Sequence, residues 1–101
     1  MATLTIVYWR DIPAQVIAKA GRETAKRQLP ERFEQAIDRA AMRAGLTGTD
    51  AYLEQWRKSE PEACADDLEA AAAEALEELE RRFTSDRLRA HAANGGFTPE
   101  A

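Results

Sequence analysis

The segment Pro13-Ala14-Gln15-Val16-Ile17-Ala18-Lys19-Ala20-Gly21-Arg22-Glu23-Thr24-Ala25-Lys26-Arg27-Gln28 places apolar or small side chains at positions 14, 17, 18, 21 and 25, continued by Leu29. That spacing keeps returning to one side of a 3.6-residue period and predicts a helix over about 13–28, opened by Pro13 and ended by Pro30. Lys19, Arg22 and Lys26 then fall on a neighbouring face. Upstream, Thr3-Leu4-Thr5-Ile6-Val7-Tyr8-Trp9 is dense in β-branched and aromatic residues and reads as a strand, stopped by Asp11-Ile12-Pro13. Downstream, Phe33, Ala36, Ile37, Ala40, Ala41 and Ala44 form the apolar stripe of a helix over 31–44. Gly45 suits the left-handed position that closes such a helix, with Leu46 folding back as its apolar contact.

Residues 51–58 admit two readings. They could be a short helix capped by Thr49 or Asp50, or a second strand with Tyr52, Glu54 and Trp56 on one side. A lone strand at 3–9 needs a partner for its backbone groups, which favours the strand. Trp9-Arg10 and Pro13 are echoed by Trp56-Arg57 and Pro61, which hints at a duplicated strand–helix–helix unit. Further on, Leu68, Ala72, Ala75, Leu76, Leu79 and Phe83 mark an amphipathic helix within 62–83, with Asp66 and Asp67 among its candidate starts. Ser85 is placed to cap a last helix, 86–93, before Asn94-Gly95-Gly96. The expected architecture is α+β and helix-rich, with about four helices packed on a small two-stranded sheet. It makes one domain over 1–96, followed by a flexible tail at 97–101.

Of the 101 residues 45% are hydrophobic, but 21 residues are alanine, and Leu, Ile, Val and Phe together number only 17. That is below the roughly 20% associated with disorder, yet a net charge of −4 is too small to support disorder. The composition instead suggests helices around a thin, alanine-lined core. No apolar run approaches the ~20 residues of a membrane span, and no secretory pattern is present. A single cysteine, Cys64, cannot form an internal disulfide, so a reducing, cytoplasmic location is expected. With a pI near 5.0 the chain is a poor candidate for a general nucleic-acid coat. Charge is uneven: the stretch 60–80 holds nine acidic side chains and no basic one.

The chemistry-bearing residues are sparse. His91 and Cys64 are each the sole member of their type, and no metal-ligand spacing or phosphate-binding glycine loop occurs. Cys64 sits among Glu60, Glu62, Asp66 and Asp67, the opposite of the electropositive setting of a reactive thiolate. No catalytic residue, metal or cofactor is therefore expected. Tyr8-Trp9-Arg10 and Tyr52…Trp56-Arg57, by contrast, combine the residue types that dominate binding hot spots. They define a candidate interaction surface of Trp9, Arg10, Asp11, Trp56 and Arg57, joined by Lys26 from the basic face. The two tryptophans have an alternative place in the core, where large side chains are scarce. The reading is a non-enzymatic module that docks another, unidentified protein, with homodimerisation through the 68–83 stripe as a further route. The alternative is a small-ligand or cofactor-handling subunit whose anionic groups meet Arg10, Arg57 and Lys26.

From Thr5 to Trp56 the chain resembles the small bacterial proteins grouped as the virulence factor domain family. Tyr8-Trp9-Arg10-Asp11-Ile12-Pro13 and Phe33-Glu34-Gln35-Ala36-Ile37-Asp38-Arg39-Ala40-Ala41-Met42 carry most of the resemblance. It is also similar to the middle part of the conserved virulence factor C proteins. The resemblance covers most of the chain, least residues 84–101. It implies a cytosolic bacterial protein and names no catalytic residue. Relatives encoded near folate- and corrinoid-dependent methyl-transfer enzymes give the alternative, accessory role its direction.

Overall fold

The structure, a computed structural model, describes residues 2–99, and its segment 13–28 is not a helix. β1 (Thr3–Trp9), β2 (Ile12–Ala20) and β3 (Glu23–Gln28) form an antiparallel meander. Period 2, and not period 3.6, sorts the side chains. Val16 and Ala18 are buried, with Ala25 directly opposite Ala18, while Gln15, Ile17 and Lys19 point to the other face. The alanines at 14, 18 and 25 are small enough to satisfy either period, and the helical stripe joined Ile17 to Ala18, which lie on opposite faces. Gly21, with φ 59°, begins the two-residue turn into β3 and takes the positive φ that a tight hairpin turn demands. The expected need of β1 for a backbone partner is thus met first by the chain that follows it. Pro13 sits in β2 beside a bulge opposite Val7 and Tyr8.

The sheet has five antiparallel strands instead of two, with about 28% of the described residues in strands, so the helix-rich description is corrected. Its order is β3-β2-β1-β4, with β5 (Glu62–Ala63) pairing the start of β1. Residues 51–58 divide between the two readings. α2 (Asp50–Glu54) is capped by Thr49, whose Oγ1 accepts from the Tyr52 N–H, and β4 (Trp56–Lys58) pairs with Val7–Trp9. The duplicated unit is absent, because three strands and one helix precede Gly45, while two helical and two strand fragments in another order precede the last helix.

α1 (Glu31–Arg43) buries Phe33, Ala36, Ile37, Ala40 and Ala41 as its stripe requires. Its end carries the expected closure: Gly45 has φ 71°, and the Leu46 N–H reaches the Ala41 carbonyl at 2.9 Å. α3 (Leu68–Arg82) starts six residues later than the expected 62, since Glu62–Ala63 pairs with Thr3 and Leu4; Asp67 caps it through the Ala70 N–H at 3.2 Å. α4 (Ser85–Ala93) is capped by Thr84 and not Ser85. α3 lies across β2 and β3 with Leu68, Ala71, Ala72 and Leu79 buried, so the stripe considered for a dimer is covered by the protein's own sheet. α1 pairs with α4 and meets β2. Phe83 joins these helices, its ring centroid 6.1 Å from Phe33 and 5.3 Å from the buried His91. The Nδ1–H of His91 donates to the Arg87 carbonyl at 2.9 Å, the proton being placed by an acceptor that can only accept.

Candidate interaction surface

The β1–β2 turn is where the aromatic–arginine motif becomes geometry. Arg10 has φ 54°, a left-handed conformation for a residue with a side chain. Its N–H and Nε donate to the carbonyl and Oε1 of Gln55, both at 3.1 Å, and Nη1 donates to the Gly95 carbonyl at 2.8 Å. The guanidinium lies 4.4 Å from the Phe97 ring centroid and 5.2 Å from that of Trp9. Arg57 donates from Nε to the Arg10 carbonyl at 2.8 Å and from Nη2 to Asp11 at 3.2 Å, while its own guanidinium covers Tyr8. The other Asp11 oxygen accepts from the Thr98 N–H at 2.7 Å and the Thr98 hydroxyl at 3.1 Å. Partial burial pushes the Asp11 carboxyl up, but the hydrogen bonds from Thr98 and Arg57 outweigh it and hold the group below its ordinary value.

Arg10, Asp11 and Arg57 are therefore brought together, as a clasp that ties the first hairpin to the 55–57 turn and to residues 95–98. Each guanidinium commits its Nε and one Nη to these bonds, and half of the Arg57 side chain is exposed. Phe97 and Thr98, from the expected tail, take part in the clasp; Glu100 and Ala101 lie outside the described residues. Trp9 is fully buried, its Nε1 donating to the Tyr52 carbonyl at 3.0 Å and its ring against Gly96. Trp56 stands opposite Trp9 across the β1–β4 pair but is 38% exposed, edge-on to Tyr52. Lys26 is exposed on β3, three strands away from Trp56.

Strand register links those last two residues. Directly paired residues share a face, so the row Gln28–Gln15–Val7–Lys58 and the row Lys26–Ile17–Thr5 lie on one side, as do Thr24, Lys19 and Thr3. Val7 and Ile17 are half-buried yet do not pack on the core, unlike Leu4 and Ile6 on the opposite face. α3 covers that opposite face, where Arg27 bonds Glu69 at 2.9 Å. The side bearing Lys19, Lys26 and Lys58 is left open, with Val7 and Ile17 between the lysines and Trp56 at its lower border. No carboxylate belongs to these rows, and none of the three lysines forms an ion pair among the described residues. Sequence reasoning found Lys26 and Trp56 but missed Val7, Ile17 and Lys58, because a face of a sheet is defined by pairing and cannot be seen along one segment. The signal that could have found them is the polar–apolar alternation of Thr3, Thr5, Val7 and of Gln15, Ile17, Lys19.

A family model described as Virulence factor matches residues 7–90 of the chain. The chain belongs to that family. The span matched to the virulence factor family includes Arg10, Asp11 and Arg57 of the clasp and stops short of its partners at 95–98. It also extends through α3 into α4, beyond the motifs quoted for the resemblance. No curated protein and no solved structure matches the chain. Among the described residues no helix is long and apolar enough to cross a membrane, and no three metal-binding side chains gather.

Proposed function

We propose that this member of the virulence factor family is a non-catalytic accessory module that docks another protein on the open face of its sheet. The observation that carries this reading is the uncovered side of β1–β4, where Val7, Ile17 and Trp56 are framed by three unpaired lysines. Apolar side chains bordered by lysines suit an apolar patch on a partner with carboxylates around it, the lysines steering the approach. The strand rows of the face carry apolar, hydroxyl, amide and ammonium side chains, and Glu34 and Asp38 of α1 adjoin them only beside Gln28 and Trp56.

Size sets the kind of contact. Seven residues of β1 at about 3.4 Å and four strands about 4.8 Å apart give a patch of roughly 24 Å by 15 Å. That is under half of the ~800 Å² each partner gives to a stable complex, so the face supports a transient association unless its rim joins in. The test is affinity capture from the source cell's lysate with the wild type and with an Ile17→Asp/Trp56→Ala variant whose fold is verified by circular dichroism. The wild type should retain a partner that the variant loses; identical partner sets would overturn the reading.

A further inference from the structure

A second feature lies on another side of α1, in the crevice between α1 and α4. There a cavity of about 150 Å³ is lined by Arg32, Gln35, Arg39, Ser85 and Arg89 over an apolar floor of Ala36, Leu88 and Ala92. The helices dictate this gathering. Arg32, Gln35 and Arg39 follow one another at i, i+3 and i+7 on α1, and Ser85 and Arg89 at i and i+4 on α4. Three guanidinium groups meet here in a chain of net charge −4, and no carboxylate lines the cavity. The nearby acids offset them only in part. Asp86 holds Arg89 at 2.6 Å, Glu80 approaches Arg32 only to 3.9 Å, and Arg39 has no ion pair among the described residues. The first turn of α4 adds the partial positive charge of a nine-residue helix. Arg32 is anchored by its Nη2, which donates to the Glu80 and Phe83 carbonyls at 3.2 and 3.3 Å, while its Nε–H is buried without an acceptor.

We infer that this cavity binds a phosphate-type oxyanion, either free or as the phosphate group of a small monoester. Guanidinium forks match tetrahedral oxyanions, and a helix N-terminus with a serine at its first position favours the same charge. At about 30 Å³ per water the cavity has room for about five waters, enough for one phosphate group and too little to enclose a whole nucleotide. The experiment is a titration of orthophosphate, and separately of glycerol phosphate, at ionic strength held constant with sodium chloride. Amide chemical shifts and melting temperature are followed for the wild type and an Arg39→Gln/Arg89→Gln variant. Both substituted side chains are exposed, so the variant should melt like the wild type in chloride alone. Saturable shifts centred on 32–39 and 85–89, weakened at least about tenfold in the variant, are expected from loss of charge-assisted contacts. Saturation by orthophosphate alone assigns the free anion, and saturation by both assigns a monoester. A response that does not saturate, or the same affinity in the variant, overturns the inference.

Discussion

Arg10 holds a left-handed backbone because its neighbours over-determine it: Gln55, Gly95, Phe97 and Arg57 each take a contact from it. Two substitutions separate the strain from the contacts. Arg10→Ala loses the side-chain bonds and keeps the strain, at a cost of about 2 kcal/mol. Arg10→Gly loses the same bonds but relieves about 1–2 kcal/mol of backbone strain against about 0.5–1 kcal/mol of added unfolded-state entropy. Urea denaturation should therefore find the glycine variant the more stable by about 0.5–1 kcal/mol; a glycine variant less stable than the alanine one by about 0.5–1 kcal/mol would mean that φ at this position costs nothing. Gly96 is a sharper case, since a Cβ there would sit 2.8 Å from Cζ3 of the buried Trp9, at φ 95°. Gly96→Ala should cost about 3 kcal/mol, whereas Gly48→Ala, with open space around a φ of 75°, should cost about 1 kcal/mol. Asp11 adds a pH signature. Its folded carboxyl titrates below the ordinary 3.8, so its contribution is present above that value and lost as pH falls through the lower, folded one. Denaturation curves of wild type and Asp11→Asn should differ at neutral pH and converge in acid; a constant gap would show that the clasp does not depend on the ionised group.

At the scale of elements, legibility followed how many periods a segment could satisfy. In α1 the large residues Phe33 and Ile37 fit only the helical period, and in β1 the run of β-branched and aromatic side chains fits only a strand, so both were readable from local sequence. Segment 13–28 holds alanines that either period can bury, and the choice was made elsewhere, by the unpaired backbone of β1. β4 and β5 are too short for any composition signal and exist because β1 pairs them. The same limit governed the candidate site. Arg10, Asp11 and Arg57 were legible by residue type, while the open face required register: Lys19 and Lys26 were grouped with Arg22 on a helix, whereas alternation sets them with Val7 and Ile17 and carries Arg27 to the covered side and Glu69. Gly21 is the residue through which the hairpin reading can be tested. With φ 59° and nothing within 4 Å of a built Cβ, its substitution reports backbone strain alone. Gly21→Val should cost about 1–2 kcal/mol and Gly21→Asn distinctly less, because asparagine tolerates the left-handed region. In a helix neither substitution would cost stability, both residues being better helix formers than glycine.

Over the whole molecule the sheet separates the charge. One side meets α3, most of whose sequence lies in the acidic stretch 60–80, and the other presents Lys19, Lys26 and Lys58. Binding and stability are correspondingly separable. A domain of this size has about 5–15 kcal/mol of stability, and Trp9→Ala, at about 3–5 kcal/mol for a fully buried ring, would take a large part of it. Loss of partner in that variant would report unfolding. The lysines are exposed and unpaired, so Lys19→Glu/Lys26→Glu/Lys58→Glu should change stability by no more than about 0.5 kcal/mol per site. It reverses the open face from three positive charges to three negative ones, and moves the net charge from −4 to −10, six units for three reversals. If an acidic partner docks on that face, wild-type affinity should fall as salt rises from about 0.1 M to about 1 M, where the Debye length shortens from about 10 Å to about 3 Å. The triple variant should bind weakly at the lower salt and gain, not lose, affinity at the higher, because the same screening then removes a repulsion. Wild-type affinity indifferent to salt would place the partner on another surface of the domain.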